Sequence, residues 1–338
     1  MAETLLEVKN LVTSFRTAEG SLQAVRNVSF HVDKGETLCI VGESGCGKSI
    51  TSLSVMRLLP SNGTIENGEI QLSGESLQRL SNEQMRQLRG NKMSMIFQEP
   101  MTALNPVLTI GYQLREPLFL HHKLSKAEAN NQSIELLRQV GLPNAEKRLN
   151  QYPHELSGGM RQRVMIAMAL ACHPSLLIAD EPTTALDVTI QAQILDLIKD
   201  LKDKLNMGVL MITHDMGVVA EVADRVMVMY AGKKIEEGPV REIFENPQHP
   251  YTIGLLNSVP NVDDPEFELE PIPGNMPGLN EKITGCRFHP RCKFAMDKCK
   301  TDVPPEFNAG KGHYASCWLV DKEVEPVDDN QRKTILKV

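Results

Sequence analysis

The sequence predicts an α/β fold built on a mostly parallel sheet, and three features lead to that prediction. A short apolar run at residues 38–41 leads into residues 42–49, which read G-x-x-x-x-G-K-S. After this loop, apolar stretches of strand length alternate with segments of helical periodicity. Two of the later stretches end directly in polar residues, at Asp180-Glu181 and at His214. Ligands of open α/β sheets bind outside the carboxyl ends of the strands, so we expect the functional site at that edge.

Size and charge narrow the class of protein. The chain has 338 residues, of which 41% are hydrophobic, enough for a core and for about two domains. A formal net charge of −7 argues against a broad surface for nucleic acid or for an anionic membrane. No apolar run approaches the roughly 18 residues of a membrane span, and residues 1–4 lack the features of a signal peptide. We therefore expect a cytosolic chain that reaches a membrane only through partners and binds no nucleic acid.

The first hundred residues predict short strands around the glycine-rich loop. Predicted strands cover residues 5–8, 28–32, 38–41, 68–72 and 93–97. The last of these runs directly into Gln98, so we expect that amide at a strand end.

Residues 42–49 are predicted to bind phosphate. The glycines let the backbone curl so that several N–H groups point at one phosphate. Lys48 would reach the β- and γ-phosphates of a nucleotide, and the Ser49 hydroxyl would ligate Mg²⁺. Residues 51–56 read as a helix whose positive N-terminal end faces the phosphates. A chance glycine turn is the alternative, but it does not require the strand before and the helix after that this sequence has.

The middle of the chain changes to a helical pattern from about residue 104 to residue 171. Residues 125–140 carry one apolar stripe, and Ser125 with Glu128 resembles a capping box. Short apolar runs typical of strands occur again at residues 175–179, 209–213 and 226–230, and residues 190–205 are predicted to form an amphipathic helix. We interpret the helical block as an insertion in the sheet.

Two motifs in this part carry possible chemistry. At the end of a buried strand, Asp180 can hold Mg²⁺ and Glu181 can take a proton from an attacking water. A solvated acidic turn is the alternative. In residues 156–162, Ser157 is a good helix N-cap and two glycines expose N–H groups at a positive helix end, which would form a second phosphate cradle. Taken alone, this stretch favours an ordinary capped helix start.

The composition shifts again near residue 258. A proline-rich, acidic stretch follows, which we interpret as a linker to a small, separate C-terminal module. Four of the seven cysteines lie in that module, spaced C-x₅-C-x₆-C-x₁₇-C. In a cytosolic chain such a cluster indicates metal more than disulfides.

In combination, these motifs resemble the ATP-binding subunits of ABC transporters. Leu-Ser-Gly-Gly-Met-Arg-Gln at residues 156–162 follows the phosphate loop and precedes Leu-Leu-Ile-Ala-Asp-Glu-Pro at residues 176–182. The resemblance covers roughly residues 5–258. It implies a P-loop (RecA-like) nucleotide-binding domain with an antiparallel β-subdomain and a helical subdomain at about residues 99–171. Ile50 departs from the Thr of many relatives, and we expect little consequence.

The resemblance also implies roles for single residues. Phe15 stacks on adenine, Gln98 senses Mg²⁺ and contacts a membrane subunit, and His214 contacts the γ-phosphate. Glu181 and His214 are the implied catalytic residues, Asp187 belongs to the D-loop, and Mg²⁺ is held by Ser49, Gln98 and Asp180. The implied ATP-binding loop comprises Gly42, Glu43, Ser44, Gly45, Cys46, Gly47, Lys48, Ser49 and Ile50. The signature residues that face the ATP of a partner chain are Ser157, Gly158, Gly159 and Met160.

Further segments resemble one branch of the family, the importers of oligopeptides, dipeptides and nickel. They are residues 97–106, 246–252, 271–274 and 286–292, and the pattern is most similar to the "D" subunit type. In that branch two ATPase subunits, often different, drive two transmembrane permease subunits fed by an extracytoplasmic peptide-binding protein. The resemblance thus implies an ATPase on the cytoplasmic face of the cell membrane, paired with an "F"-type chain, that powers peptide import.

Other functions remain as alternatives. An importer of nickel or another small solute belongs to the same family. A soluble ABC ATPase of DNA repair would carry a long coiled coil, and residues 49–179 hold no sustained heptads. The translation type usually has two cassettes, and this chain has one phosphate loop. A regulatory ATP-binding module without turnover would not need the Glu181 carboxylate.

The implied domains are residues 1–258, the C-terminal extension at 259–322 and a tail at 323–338. Some relatives hold a [4Fe–4S] cluster at cysteines matching Cys286, Cys292, Cys299 and Cys317, with a zinc site or free thiols as alternatives. The flanking cations Arg287, Arg291, Lys293 and Lys298 would offset the negative charge of such a cluster.

Overall fold

The computed structural model describes residues 3–18, 20–98, 103–184, 186–258 and 271–321. Its strands are β1 Thr4–Thr17, β2 Gly20–Asp33, β3 Thr37–Val41, β4 Gly63–Leu72, β5 Glu75–Ser76, β6 Met93–Ile96, β7 Leu176–Asp180, β8 Gly208–Ile212, β9 Arg225–Tyr230, β10 Lys233–Pro239, β11 Phe307–Gly310 and β12 His313–Ala315.

The α-helices of the described residues all come after β3 in the chain. They are α1 Lys48–Val55, α2 Asn82–Leu88, α3 Ile110–Pro117, α4 Lys126–Gln139, α5 Ala145–Arg148, α6 Gly158–Ala169, α7 Val188–Leu205, α8 Met216–Val222, α9 Val240–Glu245, α10 Pro250–Asn257 and α11 Asp297–Thr301. Among the residues that the structure describes, no helix is long and apolar enough to cross a bilayer.

The chain divides into two compact units. The first unit comprises Met1–Glu7, His31–Glu36 and Gln71–Ile212, and the second comprises Val8–Phe30, Thr37–Ile70 and Thr213–Val338. The predicted boundary between residues 258 and 259 does not separate the units, because residues on both sides of it belong to the second. The division into residues 1–258, 259–322 and 323–338 therefore stays a prediction.

The first unit is built on the parallel strands β8, β7 and β6. Leu176 of β7 pairs with Gly208 of β8 and with Met93 of β6. Every residue of β7 and β8 is buried, which explains their continuous apolar sequences, since a parallel strand is covered on both faces. The strands predicted at 93–97, 175–179 and 209–213 are confirmed within one residue.

The helical block of the first unit also follows the sequence. Helix α4 begins after Ser125, whose hydroxyl accepts the backbone N–H of Glu128 while the Glu128 carboxylate accepts that of Ser125, so the predicted capping box is confirmed. Leu136, Leu137 and Val140 of the predicted stripe are buried.

The second unit carries the phosphate-loop strand. Its strands follow the order β11-β12-β10-β9-β3, with β3 parallel to β9 and β10 antiparallel to both β9 and β12. Most of β2, β1 and β4 also lies in this unit, in that order. The strands predicted at 5–8 and 28–32 are the ends of two 14-residue strands, β1 and β2.

The C-terminal cysteine segment is not structurally separate from this sheet. Strand β12 pairs with β10, with Glu236 opposite Ala315 and Glu237 opposite Tyr314. Phe288 packs edge-on against the rings of Tyr230 and Tyr251, at centroid distances of 5.1 and 5.4 Å. The expectation of a free-standing module is therefore wrong for residues 286–315, whose strand and aromatic contacts lie within the second unit.

Candidate nucleotide site and cysteine cluster

The phosphate loop connects the buried strand β3 to helix α1. Gly45 and Gly47 have positive φ values of 82° and 106°. A Cβ on Gly47 would lie 2.7 Å from the carbonyl oxygen of Ala24, so both the conformation and the space require glycine. Helix α1 starts at Lys48, three residues before the predicted start, and its N-terminus therefore lies directly at the loop.

The Lys48 side chain donates hydrogen bonds to the backbone of the phosphate loop. Lys48 is 5% exposed, and Nζ donates to the carbonyl oxygen of Gly42 at 2.6 Å and to that of Glu43 at 3.1 Å. The neighbouring residues of the predicted site divide by exposure: Ser44 and Gly45 are exposed, Ser49 and Ile50 are half-buried, and Cys46 is buried. The ammonium group thus lies at the loop, where phosphate binding requires positive charge.

Two residues that the sequence analysis did not assign to the nucleotide site hold the first turn of the loop. The backbone N–H of Glu43 donates to the Tyr251 hydroxyl at 2.7 Å. The Arg291 guanidinium binds both carboxylate oxygens of Glu43, at 2.7 and 3.0 Å. Arg291 was predicted only to offset cluster charge, and 248 residues separate it from Glu43, so no local pattern could show the pairing.

Two other predicted residues lie in the second unit. Phe15 is half-buried on β1, where a Cβ on Gly63 would lie 2.9 Å from its ring. His214 is exposed directly after Thr213, whose N–H donates to the Ile40 carbonyl of β3 at 3.2 Å. The residue that follows, Asp215, caps helix α8 through Oδ1, which accepts the N–H groups of Gly217 and Val218.

The acidic pair lies at the end of β7 in the first unit. Asp180 is the last residue of the strand and is 6% exposed. Glu181 turns away with φ +47°, a left-handed conformation, while its N–H continues the ladder to the Ile212 carbonyl at 2.9 Å. Two side chains, Gln98 through Nε2 and Thr184 through Oγ1, each donate to Glu181 Oε2 at 2.9 Å. The structure therefore brings together Gln98 and Glu181, which the sequence placed 83 residues apart.

The signature residues begin helix α6. Ser157 is its N-cap, and Oγ accepts the N–H of Met160 at 3.4 Å. A Cβ on Gly159 would lie 2.9 Å from Ile190 Cγ2 of α7, whereas one on Gly158 would meet nothing within 4 Å. Gly159 is thus fixed by packing, and Gly158 leaves an exposed backbone at the helix end. Asp187 caps α7 by accepting the N–H of Ile190 at 3.0 Å.

All four C-terminal cysteines line one small cavity in the second unit. The other walls include Phe288, Phe294 and Trp318. Backbone N–H groups point at three of the sulfurs: Phe288 and His289 at Cys286, Phe294 at Cys292, and Leu319 at Cys317. Among the described residues the cysteines are free thiols.

Burial in this cavity disfavours the charged form of three of its thiols. Burial raises the pKa of the Cys292 thiol to about 12 and also raises the pKa of Cys286 and Cys317, and the nearby thiols raise all three further. Deprotonated sulfurs therefore need a bound cation. Within the described part of the chain, no three His, Cys, Asp or Glu side chains converge closely enough for one metal ion.

The comparisons with known proteins agree with the motifs and the fold. Residues 25–184 match the family described as ABC transporter, and residues 235–299 match the family described as oligopeptide/dipeptide transporter, C-terminal region. The oligopeptide transport ATP-binding protein OppD of Bacillus subtilis (strain 168) is 54% identical over 326 residues, 96% of this chain and 91% of that protein. The chain belongs to the oligopeptide/dipeptide ABC transporter ATP-binding proteins.

Other relatives of this ABC ATPase support the assignment. The dipeptide transport ATP-binding protein DppD of the same organism is 54% identical over 324 residues, 96% of this chain and 97% of that protein. A solved dimeric structure of the ATP-binding cassette MJ0796, bound to ADP and Pi, has a TM-score of 0.64 and 29% identity. It covers 70% of this chain and 99% of its own. The predicted fold and the predicted ATPase activity coupled to transport are confirmed.

Proposed function

We propose that this ABC ATPase powers the import of peptides across the cytoplasmic membrane and works at its cytoplasmic face. The observation that carries the substrate class is the match of residues 235–299 to the oligopeptide/dipeptide transporter C-terminal region. The names of OppD and DppD, each 54% identical to this chain, favour peptides over nickel. We assign the chain two permease subunits and an extracytoplasmic peptide-binding protein as partners.

ATP binds at residues 42–50 in this proposal. Phe15 stacks on adenine, and Lys48 with the loop N–H groups holds the β- and γ-phosphates. Oxygens of Ser49, Gln98 and Asp180 suit Mg²⁺, which prefers hard oxygen ligands and neutralises phosphate charge when bound.

Glu181 is the general base that takes the proton of the attacking water. Its support is positional: Gln98 and Thr184 both bond to Oε2 at 2.9 Å and so fix the carboxylate at the end of β7. His214 contacts the γ-phosphate. The charge that develops on the transferred phosphoryl group is stabilised by Lys48 and the loop.

Two ATPase chains, this one and an "F"-type partner, meet head to tail. Each phosphate loop faces the partner's signature residues, Ser157 to Met160 in this chain, so the γ-phosphate bridges the dimer and its release reopens it. The exposed Gly158 at a capped helix end supports this role, since its backbone is accessible to an anion. Asp187 of the D-loop caps the helix that packs on Gly159.

Cys286, Cys292, Cys299 and Cys317 hold a [4Fe–4S] cluster with a structural role. A shared cavity, four thiols and N–H groups aimed at three of the sulfurs support the assignment. The cluster lies in the proposed C-terminal extension, residues 259–322. Residues 1–258 form the ATPase domain, and residues 323–338 form the tail.

The substrate class is tested by uptake in cells. A strain lacking this chain should lose uptake of labelled di- and oligopeptides and keep uptake of nickel. Expression of the wild-type chain should restore peptide uptake, and the Glu181→Gln variant should not. Loss of nickel uptake with peptide uptake intact would contradict the proposal.

A further inference from the structure

A cavity of about 330 Å³ in the second unit combines cations with an apolar wall. Lys233, Lys234, Arg26 and Arg287 supply the charge, and Tyr230 and Phe288 supply part of the apolar surface. No residue of the phosphate loop lines it. The volume lies within the range of small-molecule sites.

The charges of this cavity are only partly compensated. Lys234 binds Glu237 at 2.6 Å and Glu306 at 2.8 Å. The hydrogen bonds found for Arg26 and Arg287 go to neutral oxygens, of Gln23, Leu279 and Glu281, at 3.3–3.5 Å. The Nε atoms of Arg26 and Arg287 are buried, and no hydrogen-bond partner is found for either within the described residues. A buried N–H without an acceptor is unfavourable, so these two donors favour a bound acceptor, and the positive charge of the two guanidinium groups favours an anionic one.

Mutual repulsion among the cations of this cavity leads to the same conclusion. Arg26, Lys233 and Arg287 line the same cavity, so their positive charges repel one another. Like charges that are gathered at a partly desolvated place are stabilised by an opposite charge bound among them.

We propose that this cavity binds a small anion that carries two or more negative charges on phosphate or carboxylate groups. Arg26, Lys233 and Arg287 contact the charged groups, and the wall of Tyr230 and Phe288 packs against the body of the ligand. The site is separate from the nucleotide site, and the proposal does not depend on the transported substrate.

The test uses the full chain with Lys48→Ala, which disables the phosphate loop. Citrate and inorganic phosphate are titrated separately by calorimetry. At least one should bind, and Arg26→Gln or Arg287→Gln should weaken binding about tenfold or more, as the loss of a charge-assisted hydrogen bond implies. Lys311→Gln is the matched control, because Lys311 is exposed and pairs with Glu242 at 2.8 Å; it should bind like its parent.

Cys286 also lines the cavity, so the alternative role of these cations is to compensate the charge of a cluster bound at Cys286. The iron content of the same variant proteins distinguishes anion binding from this alternative. Unchanged iron with weakened anion binding supports the site. No binding of either probe at 10 mM or less, on the order of the weakest useful affinities, would overturn it. Loss of iron with unchanged anion binding would also overturn it.

A second, independent observation concerns Arg291. Its side chain is 6% exposed, and besides Glu43 it binds the carbonyl oxygens of Pro273 at 2.7 Å and Gly274 at 3.3 Å. Without this cation, the Glu43 carboxylate would be unpaired inside the loop that receives ATP phosphates. The geometry points to Arg291 as a positioning residue that neutralises Glu43 and holds the loop for ATP.

The effect of Arg291 is measured as a split between KM and kcat in the assembled transporter. Arg291→Gln should raise KM for ATP about tenfold and change kcat less than about threefold, since the loss affects ATP binding and not the attack of water. The double variant Glu43→Gln, Arg291→Gln should recover most of the affinity, because it removes the unpaired carboxylate. Lys300→Gln, at an exposed pair with Asp297, is the control. An unchanged KM, or no recovery in the double variant, would overturn the assignment.

Discussion

At the residue scale, the proposed general base is one carboxylate whose position is fixed by two hydrogen bonds. Glu181 leaves β7 with a left-handed φ, and Gln98 and Thr184 hold the same carboxylate oxygen. The sequence predicted Asp180 and Glu181 as site residues, but it could not show that Gln98 binds Glu181. The pairing arises because β6 and β7 are parallel neighbours whose carboxyl ends lie side by side.

Glu181→Gln keeps the shape of the side chain and removes the base. We expect ATP binding to be retained and turnover to fall ~10²–10⁴-fold, the range for removal of a general base. Single-turnover hydrolysis with radiolabelled ATP measures the chemical step directly. Turnover at the wild-type rate would refute the role of Glu181.

Variants of Ser157 and Lys48 test whether each ATP binds between the phosphate loop of one chain and the signature residues of its partner. Ser157→Arg should leave ATP binding at this chain's own loop nearly intact and slow hydrolysis of the nucleotide that faces the signature, whereas Lys48→Ala should weaken binding at its own loop. Crosslinking of a photoreactive ATP analogue to each subunit assigns the affected site. Ser125→Arg, which removes a similar capping hydroxyl from α4, controls for loss of a cap. Equal loss of nucleotide at one site in both variants would exclude the head-to-tail arrangement.

At the element scale, the sequence analysis missed β10 because two of its buried residues are charged. Strand β10 includes Glu236 and Glu237, which are 1% and 6% exposed, and its sequence therefore lacks the apolar pattern of a core strand. Each carboxylate has a partner: Glu236 lies 2.7 Å from His313 of β12, and Glu237 binds Lys234 and Arg225. By contrast, β3, β7, β8 and β9 were predictable, because apolar runs of five or six residues bounded by turns have few other structures.

Glu236 joins three elements, so its removal should be costly. Its carboxylate accepts the N–H groups of Gln248 at 2.6 Å and His249 at 2.9 Å in addition to bonding His313. Glu236→Ala leaves these groups buried without partners, and we expect a loss of roughly 3–5 kcal/mol in the free energy of unfolding of the second unit. Denaturant unfolding measures it. Glu245→Ala, at an exposed pair with Arg241, should cost less than about 1 kcal/mol, and equal losses in the two variants would contradict the account.

At the scale of the whole molecule, long-range contacts tie the cysteine segment to the ATPase core. The resemblance to a family predicted the four cysteines as ligands, but the sequence could not show that Arg291 and Phe288, between and beside those cysteines, pack on the phosphate loop and on Tyr230 and Tyr251. Contacts between residues more than 200 positions apart produce no periodicity or spacing in the sequence from which they could be predicted.

The cysteine cavity makes a prediction about the intact protein. Chain purified without air should be brown and contain about four irons, as a [4Fe–4S] cluster requires. Cys292→Ser should bleach it and expose residues 280–320 to protease, while Cys172→Ser, at a buried cysteine outside the cavity, should keep the colour. Zinc in place of iron in anaerobic protein would exclude the cluster.

The central claim is that ATP hydrolysis by this chain drives peptide import. We would measure uptake of a labelled peptide into proteoliposomes that contain the complete transporter, its binding protein and ATP on the cytoplasmic side. The account predicts ATP-dependent uptake with the wild-type chain and uptake reduced at least ~10²-fold with Glu181→Gln, although ATP still binds. Peptide uptake that continues with Glu181→Gln, or that proceeds without ATP, would contradict it.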